Sequence, residues 1–323
     1  MKLSSIFVRM SKVFPSPVTM EGIRRMPRRE LTESEKEKSY AQYFCKELAE
    51  VPAEDLEKVN SGPLDPATVT AIQTRNDLVK PGYLEDETGY SVLEDGSGFA
   101  ATLVKMPGVT PEMLDWWFNW HPLEGLRYAL WCPVAHTDIS AKDPARHLDS
   151  SGIPLRVRNY GSTHYPVEGF NLASAQKVII EFFSPQNFGL DMSLFREPGI
   201  SRAYCANVTL DMLKKPFNVF FHAVREVDGG VEYRSRYWLG YTMKDGFPKR
   251  VKRSLPYKII DLARNNCLHS LIEYNNLASF LPDIFDEMGG VIEVRKDCES
   301  SQSKMAQERP VLMPEAQDQK DQG

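Results

Sequence analysis

The 323-residue sequence has only five cysteines, Cys45, Cys132, Cys205, Cys267 and Cys298, an odd number with no C-x-x-C spacing. This argues against a disulfide framework or a thiolate-rich zinc module and for free thiols in a reducing compartment, the cytoplasm. No apolar run approaches the ~18 residues of a membrane span, so the expectation is a protein in solution with no membrane partner. A net charge of −5, with no clustered cationic surface beyond the N-terminus, argues against a nucleic-acid partner. There is no G-x-S-x-G elbow, no H-E-x-x-H and no Walker loop. GSGFAA at 96–101 formally fits G-x-G-x-x-A, but it follows an acidic turn and leads into a strand pattern, so it reads as a hairpin turn. The opening MKLSSIFVRMSKVF is basic, and its short apolar stretch is broken by Arg9, unlike a secretory leader. It reads as a floppy terminus, with a transit peptide as the alternative.

Apolar content of 42% and charged content of 26% are those of an ordinary globular chain, long enough for a core domain plus a smaller one. Residues 1–30 are basic and proline-bearing and read as flexible. Thr32 and Glu35 form an S/T-x-x-E capping pattern ahead of a helix carrying Tyr40, Phe44, Cys45 and Leu48 on one side. Shorter helical pieces near 52–59 and 66–75 complete a small helical N-terminal domain, 31–79, suited to a lid or a dimer contact.

Residues 80–297 read as the larger domain. YSVLEDGSGFAATLVKMP is a hairpin pattern, and TPEMLDWWFNW is a helix with Thr110 as N-cap and Pro111 in its first turn. Strands recur at QKVIIEFFSP, RAYCANVTL, FNVFFHAVREV and VEYRSRYWLGYT, followed by one long helix from about Pro256 to Phe285. An antiparallel sheet curved around a long C-terminal helix is an α+β helix-grip architecture, whose interior is commonly a ligand cavity. Residues 298–323 are polar and aperiodic and read as a disordered tail.

Within the long helix, CLHSLIEYNNL at 267–277 places His269 and Glu273 one turn apart on a stripe that is apolar at both ends. Burying a carboxylate without a partner costs several kcal/mol. The pair could be two metal ligands on one helix, or a core histidine bonded to its own i+4 glutamate. Asp228-Gly229-Gly230 closes a hairpin that suits a type I′ turn in either of two registers. A turn on Gly229-Gly230 sets His222 opposite Tyr237, and a turn on Asp228-Gly229 sets it opposite Ser235; both put His222 and Tyr237 on one aromatic face.

WWFNWHPLEGLRYALWCPVAHTDIS, residues 116–140, resembles the signature segment of the diacetylphloroglucinol and phloretin hydrolase family, with its W-H-P, L-R-Y and following histidine. The resemblance spans about residues 80–290. It implies a Bet v 1-like helix-grip catalytic domain, a small N-terminal domain contributing to a homodimer, and zinc-dependent cleavage of the C–C bond between an acyl group and a polyphenol ring. It places the zinc ligands on His136, Glu168, His269 and Glu273, and ring-hydroxyl contacts on Tyr128, Tyr237 and His222. Cys132 stands where many relatives carry a histidine or an acid, and is assigned no role beyond that of a small buried residue. His121 reads as a structural hydrogen-bonder, His164 as a group supporting Glu168, and His147 as solvent-exposed. The implied chemistry is attack on an aryl ketone with Tyr128 and Tyr237 holding ring hydroxyls and His222 as proton donor to the ring carbon. The rivals are a non-catalytic carrier of hydrophobic ligands, which predicts an apolar cavity, and a closed structural zinc site.

Overall fold

A computed structural model describes residues 14, 16–195, 199–211, 216–251 and 258–293. The expectations for residues 1–13 and for the 298–323 tail lie outside the described residues. Contacts group the chain through Ile292 into one compact unit and the remainder into a second.

Strands β1 (Gly89–Val92), β2 (Gly98–Pro107), β3 (His136–Asp138), β4 (Thr163–His164), β5 (Val167–Glu168), β6 (Gln176–Phe183), β7 (Ile200–Leu210), β8 (Asn218–Val227) and β9 (Gly230–Leu239) form one sheet. Its order is β1-β2-β9-β8-β7-β6-β5-β3, with β4 also on β6, and every pairing is antiparallel. A short hairpin, β10 (Tyr241–Lys244) and β11 (Phe247–Arg250), forms a second sheet, tied to β7 by Asn207, which bonds both Met243 N (2.7 Å) and Met243 O (3.0 Å). The chain is therefore of the α+β class, mixing helices with antiparallel sheet.

Central strands β8 and β9 are buried almost end to end because both faces of the sheet are covered. One face, with Phe220, Val224, Tyr233, Tyr237 and Leu239, packs in the larger core under the C-terminal helix α7 (Ile259–Ala278). The opposite face, with Phe99, Val219, Phe221 and Trp238, packs in a second core with Ile72, Leu78 and Val79 from a 3-10 segment. That covered face also buries Arg234 and Arg236, both bonded to Glu87 at 2.6 Å.

The β8–β9 turn resolves the register: Val227 pairs with Gly230 and His222 with Ser235, so the turn sits on Asp228-Gly229. It is not type I′, because Gly229 alone takes positive φ (77°) and Asp228 does not. An L-residue gives up stability in the left-handed region that glycine enters freely. Asp245-Gly246, between β10 and β11, does take both positive angles.

Helices form where local capping and burial agree. Thr110 caps α5 (Pro111–Trp120) by accepting from Met113 N at 3.3 Å, with Pro111 in the first turn. The Thr32–Glu35 capping box is present, but its helix is short: α2 (Glu33–Lys36) stops before α3 (Ala41–Cys45). Tyr40 between them turns inward to donate to Glu124 at 2.6 Å, and Cys45 is exposed rather than packed. Upstream, α1 (Met20–Arg24) follows buried Val18 and itself buries Ile23, so this part of the N-terminal segment is packed rather than loose. Helix α4 (Ala53–Asn60) packs on α7 and β1. The long C-terminal helix expected through Phe285 breaks after Ala278, and α8 (Leu281–Glu287) starts anew with Pro282 in its first turn. Proline lacks the N–H to continue the ladder and its ring clashes with the carbonyl four residues back.

Replacing Glu87 with Leu leaves two buried guanidinium groups sharing no carboxylate. The variant is expected to lose about 3–5 kcal/mol in urea denaturation; a loss below ~1 kcal/mol would show that the arginines find other partners.

Candidate active site

Three segments converge under the helix-covered face of the sheet. Helix α6 (Gly125–Trp131) carries Tyr128 and leads into His136 at the start of β3. The β3–β5 pairing sets His136 directly opposite Glu168. Helix α7 supplies His269 and Glu273 from one face, and Asn276 on the same helix donates to the carbonyls of Leu130 (3.1 Å) and Trp131 (3.0 Å). That contact satisfies carbonyls at the end of α6 and ties the two helices together.

His136 Nε2 lies 3.2 Å from His269 Nε2, 3.5 Å from Glu273 Oε2 and 3.6 Å from Glu168 Oε2, and His269 Nε2 is 3.6 Å from Glu273 Oε2. Cys132, His136 and His269 also offer ligand atoms all within 4.8 Å of one another, a grouping that could hold a metal ion. His136 Nδ1 sits 3.3 Å from the Tyr128 carbonyl, which can only accept, so Nδ1 carries the proton and Nε2 presents its lone pair to the cluster. The Tyr128 ring stacks flat on His136 with centroids 4.1 Å apart, and its hydroxyl donates to the Glu168 carboxylate.

Burial raises Glu273 well above the usual carboxylate range, and neighbouring Glu168 raises it further. Burial lifts Glu168 to about 7 against the opposing Tyr128 hydrogen bond. Burial lowers His269 to about 4 and His136 well below its ordinary value. The site thus gathers neutral imidazoles, the ligating form, around two carboxyl groups that burial biases toward protonation and that a bound cation would ionise. Two nitrogens and two carboxylate oxygens fit a borderline divalent metal such as zinc. Burial and the two glutamates also hold the Cys132 thiol toward its protonated form.

A cavity of about 150 Å³ opens on this cluster and is lined by Tyr128, Glu168, His222, Tyr237, His269 and Glu273. Strands β6 to β8 contribute a mostly apolar wall, with Val178, Ile180, Phe182 and Phe220, interrupted by Gln176 and Asn218. The His222 and Tyr237 rings are 5.6 Å apart across the β8–β9 pair. His222 Nδ1 meets Ser235 Oγ at 2.9 Å, and its Nε2 meets Tyr274 Oη at 3.2 Å. Tyr274 in turn accepts from Tyr233 at 3.2 Å. Tyr274 was not singled out from the sequence, although it directly follows Glu273; only packing shows which neighbour of a helical ligand turns into the cavity.

The remaining histidines depart from expectation. His147 is buried, at 1% exposure, not solvent-exposed, because Asn119 and His164 enclose its two nitrogens. His164 partners His147 and Ser162 rather than Glu168. His121 does bond the Trp117 carbonyl, at 2.8 Å, and it also lines the cavity.

A metal-capable cluster opening into a phenol-lined cavity defines a small-molecule enzyme rather than an apolar carrier. Residues 69–286 match the DAPG hydrolase PhiG domain. A 2,4-diacetylphloroglucinol hydrolase from Pseudomonas sp is 34% identical over 266 residues, covering 78% of this chain and 89% of the relative. A phloretin hydrolase from Eubacterium ramulus is 29% identical over 263 residues, covering 79% and 92% respectively. A crystal structure of a Chromobacterium violaceum protein aligns at 12% identity and a TM-score of 0.30 over 57% of this chain and 97% of its own. The chain belongs to the DAPG hydrolase family and is an enzyme, a hydrolase acting on carbon–carbon bonds in ketonic substances.

Glu273→Gln replaces a carboxyl that burial already holds protonated in the metal-free protein. The variant is expected to lose bound metal at least ~10-fold yet keep the melting temperature of metal-free wild type. A lower metal-free melting temperature would show that the ionised carboxylate stabilises the fold by itself.

Proposed function

We propose that the protein is a zinc-dependent hydrolase that cleaves the C–C bond between an acyl group and a phloroglucinol-type ring, releasing the polyphenol and a carboxylic acid. The observation that carries this reading is the convergence of His136, Glu168, His269 and Glu273 at the floor of a cavity that also presents Tyr128, His222 and Tyr237. The relatives named for diacetylphloroglucinol and phloretin supply the substrate class. The same reading takes the sheet and α7 as a Bet v 1-like helix-grip, the chain as a cytoplasmic homodimer, and residues 31–79 as a lid or dimer contact. Among the described residues no helix is long and apolar enough to cross a membrane.

His136, Glu168, His269 and Glu273 would hold the zinc. When bound, zinc polarises a carbonyl and lowers the pKa of water, supplying an electrophile and a nucleophile at neutral pH. The protein's own groups orient the substrate and move protons. Burial keeps the Tyr128 and Tyr237 phenols protonated. Tyr237 can therefore donate to a ring oxygen and stabilise negative charge as the acyl–ring bond breaks, while Tyr128, whose hydrogen goes to Glu168, can accept from a ring hydroxyl. Water's hydroxyl ends on the acyl carbon and a proton ends on the ring carbon. His222 is the proposed donor of that proton; burial lowers it to about 3 and keeps it neutral, so each proton it gives up must be replaced through Tyr274. The apolar β6–β8 wall accommodates the acyl arm and excludes bulk water. A carrier would line its cavity with apolar groups alone; Glu168, His269 and Glu273 in the lining favour the enzyme.

His269→Ala is expected to lose zinc and phloroglucinol release together, measured by elemental mass spectrometry and product assay. Full metal and full rate in that variant would remove His269 from the site. Tyr237→Phe is expected to keep the metal and lose about 10²-fold in kcat, with KM little changed, and Tyr128→Phe, which also removes the hydrogen bond to Glu168, to lose turnover together with about 10-fold in metal affinity. Chelation that strips zinc without slowing turnover would make the centre structural.

A further inference from the structure

Beyond the groups used above, the cavity has a second cluster of imidazoles whose protonation is set by their partners. Asn119 Nδ2 donates to the carbonyls of Asp115 (2.7 Å) and Leu155 (3.2 Å), so its Oδ1 faces His147 Nδ1 at 2.8 Å as an acceptor. His147 therefore carries its proton on Nδ1 and offers a lone pair at Nε2. That lone pair meets His164 Nε2 at 3.2 Å, so His164 is protonated on Nε2. Ser162 Oγ agrees: it donates to the Asn159 carbonyl at 2.8 Å and is left to accept from His164 Nε2 at 3.4 Å. His164 Nδ1 is then a bare lone pair. His121 reaches the same state by a different route, because its Nδ1 donates to the Trp117 carbonyl at 2.8 Å and leaves Nε2 bare.

Both rings line the cavity, perpendicular to each other with centroids 6.4 Å apart, and both residues are at most 3% exposed. His121 also stacks on Tyr128, which stacks on His136, so the column of rings runs from the candidate metal cluster to this pair. Burial keeps both imidazoles neutral, with His121 lowered to about 3 and His164 well below its ordinary value. A buried neutral acceptor without a donor costs stability, and a ligand that brings an O–H removes that cost. Tyr237 provides a donor to a ring oxygen, yet a phenol must also place its own hydrogen. His121 Nε2 and His164 Nδ1 can take it without carrying charge.

We propose that His121 Nε2 and His164 Nδ1 form a pair of neutral acceptors that receive ring hydroxyl hydrogens, making free hydroxyls on the aromatic ring the feature the pocket selects. This rests on the acylphloroglucinol reading of the cavity and adds the residues that enforce it. His147 and Asn119 are positioning residues that hold His164 in the accepting tautomer.

The test uses the full-length, metal-loaded protein and compares phloroglucinol with its trimethyl ether in binding, and an acylphloroglucinol with its O-methyl ethers in kcat/KM. Wild type is expected to prefer the free hydroxyls by about 10²-fold or more. His164→Leu, with metal content and circular dichroism unchanged, is expected to cut that preference at least ten-fold by weakening only the hydroxylated compounds. His164→Asn, whose Oδ1 stands in for Nδ1, should restore part of it. Equal binding of phenol and ether by wild type, or a preference within two-fold of wild type in His164→Leu, overturns the proposal. If the leucine variant does not fold, imidazole 15N spectra of wild type decide. The two non-protonated nitrogens should shift on adding phloroglucinol and stay put with the trimethyl ether; unmoved resonances with bound phloroglucinol overturn it. Binding through these nitrogens with no cleavage of any acyl ketone would sink the hydrolase reading and leave this one standing. Cleavage without hydroxyl preference would sink this one alone.

Discussion

The site depends on setting partly buried Glu168 and buried Glu273 against two imidazoles that burial keeps uncharged. Nothing in an apolar core rewards such a group, so the surrounding structure has to hold it. The β3–β5 pairing delivers one carboxylate opposite one histidine, and a single turn of α7 delivers the other two groups. Tyr128 braces the set from the side, stacked on His136 and bonded to Glu168. Supporting partners of this kind orient ligating side chains and set their tautomer, which is the form of pre-organisation that metal sites need.

The sheet separates this centre from the burden of stability. Its helix-covered face carries the cavity and the polar cluster, while its other face holds a second core and the Glu87–Arg234–Arg236 network. Because β8 and β9 are anchored from behind, His222 and Tyr237 can face a cavity without loosening the strands that carry them. The family relationship fits this division, since the matched region, residues 69–286, takes in most of both cores along with the site.

The cavity is balanced in hydrogen-bonding character. The Tyr237 hydroxyl, held protonated by burial, can donate, and the His121 and His164 imidazoles, held neutral by burial, can accept. Such groups favour a ligand that is itself both donor and acceptor, and the apolar β6–β8 wall provides room for a part that is neither. A hydroxylated ring bearing an acyl arm has that composition.

Local rules were readable from the residues alone. The Thr110 cap, the His269–Glu273 turn and the shared face of His222 and Tyr237 follow from periods of 3.6 and 2. Resemblance to a family, rather than pattern, pointed to His136 and Glu168, because strand partners distant in sequence leave no periodic trace. Other features needed the folded chain. The helix break at Pro282, the inward turn of Tyr40 and the burial of His147 each depend on which surfaces meet. By itself the sequence determined which side chains share an element's face, since that depends on backbone geometry alone. Tertiary structure decided which faces meet, which buried groups find partners and hence which nitrogens are left bare, since those depend on burial and contact between segments far apart in the chain.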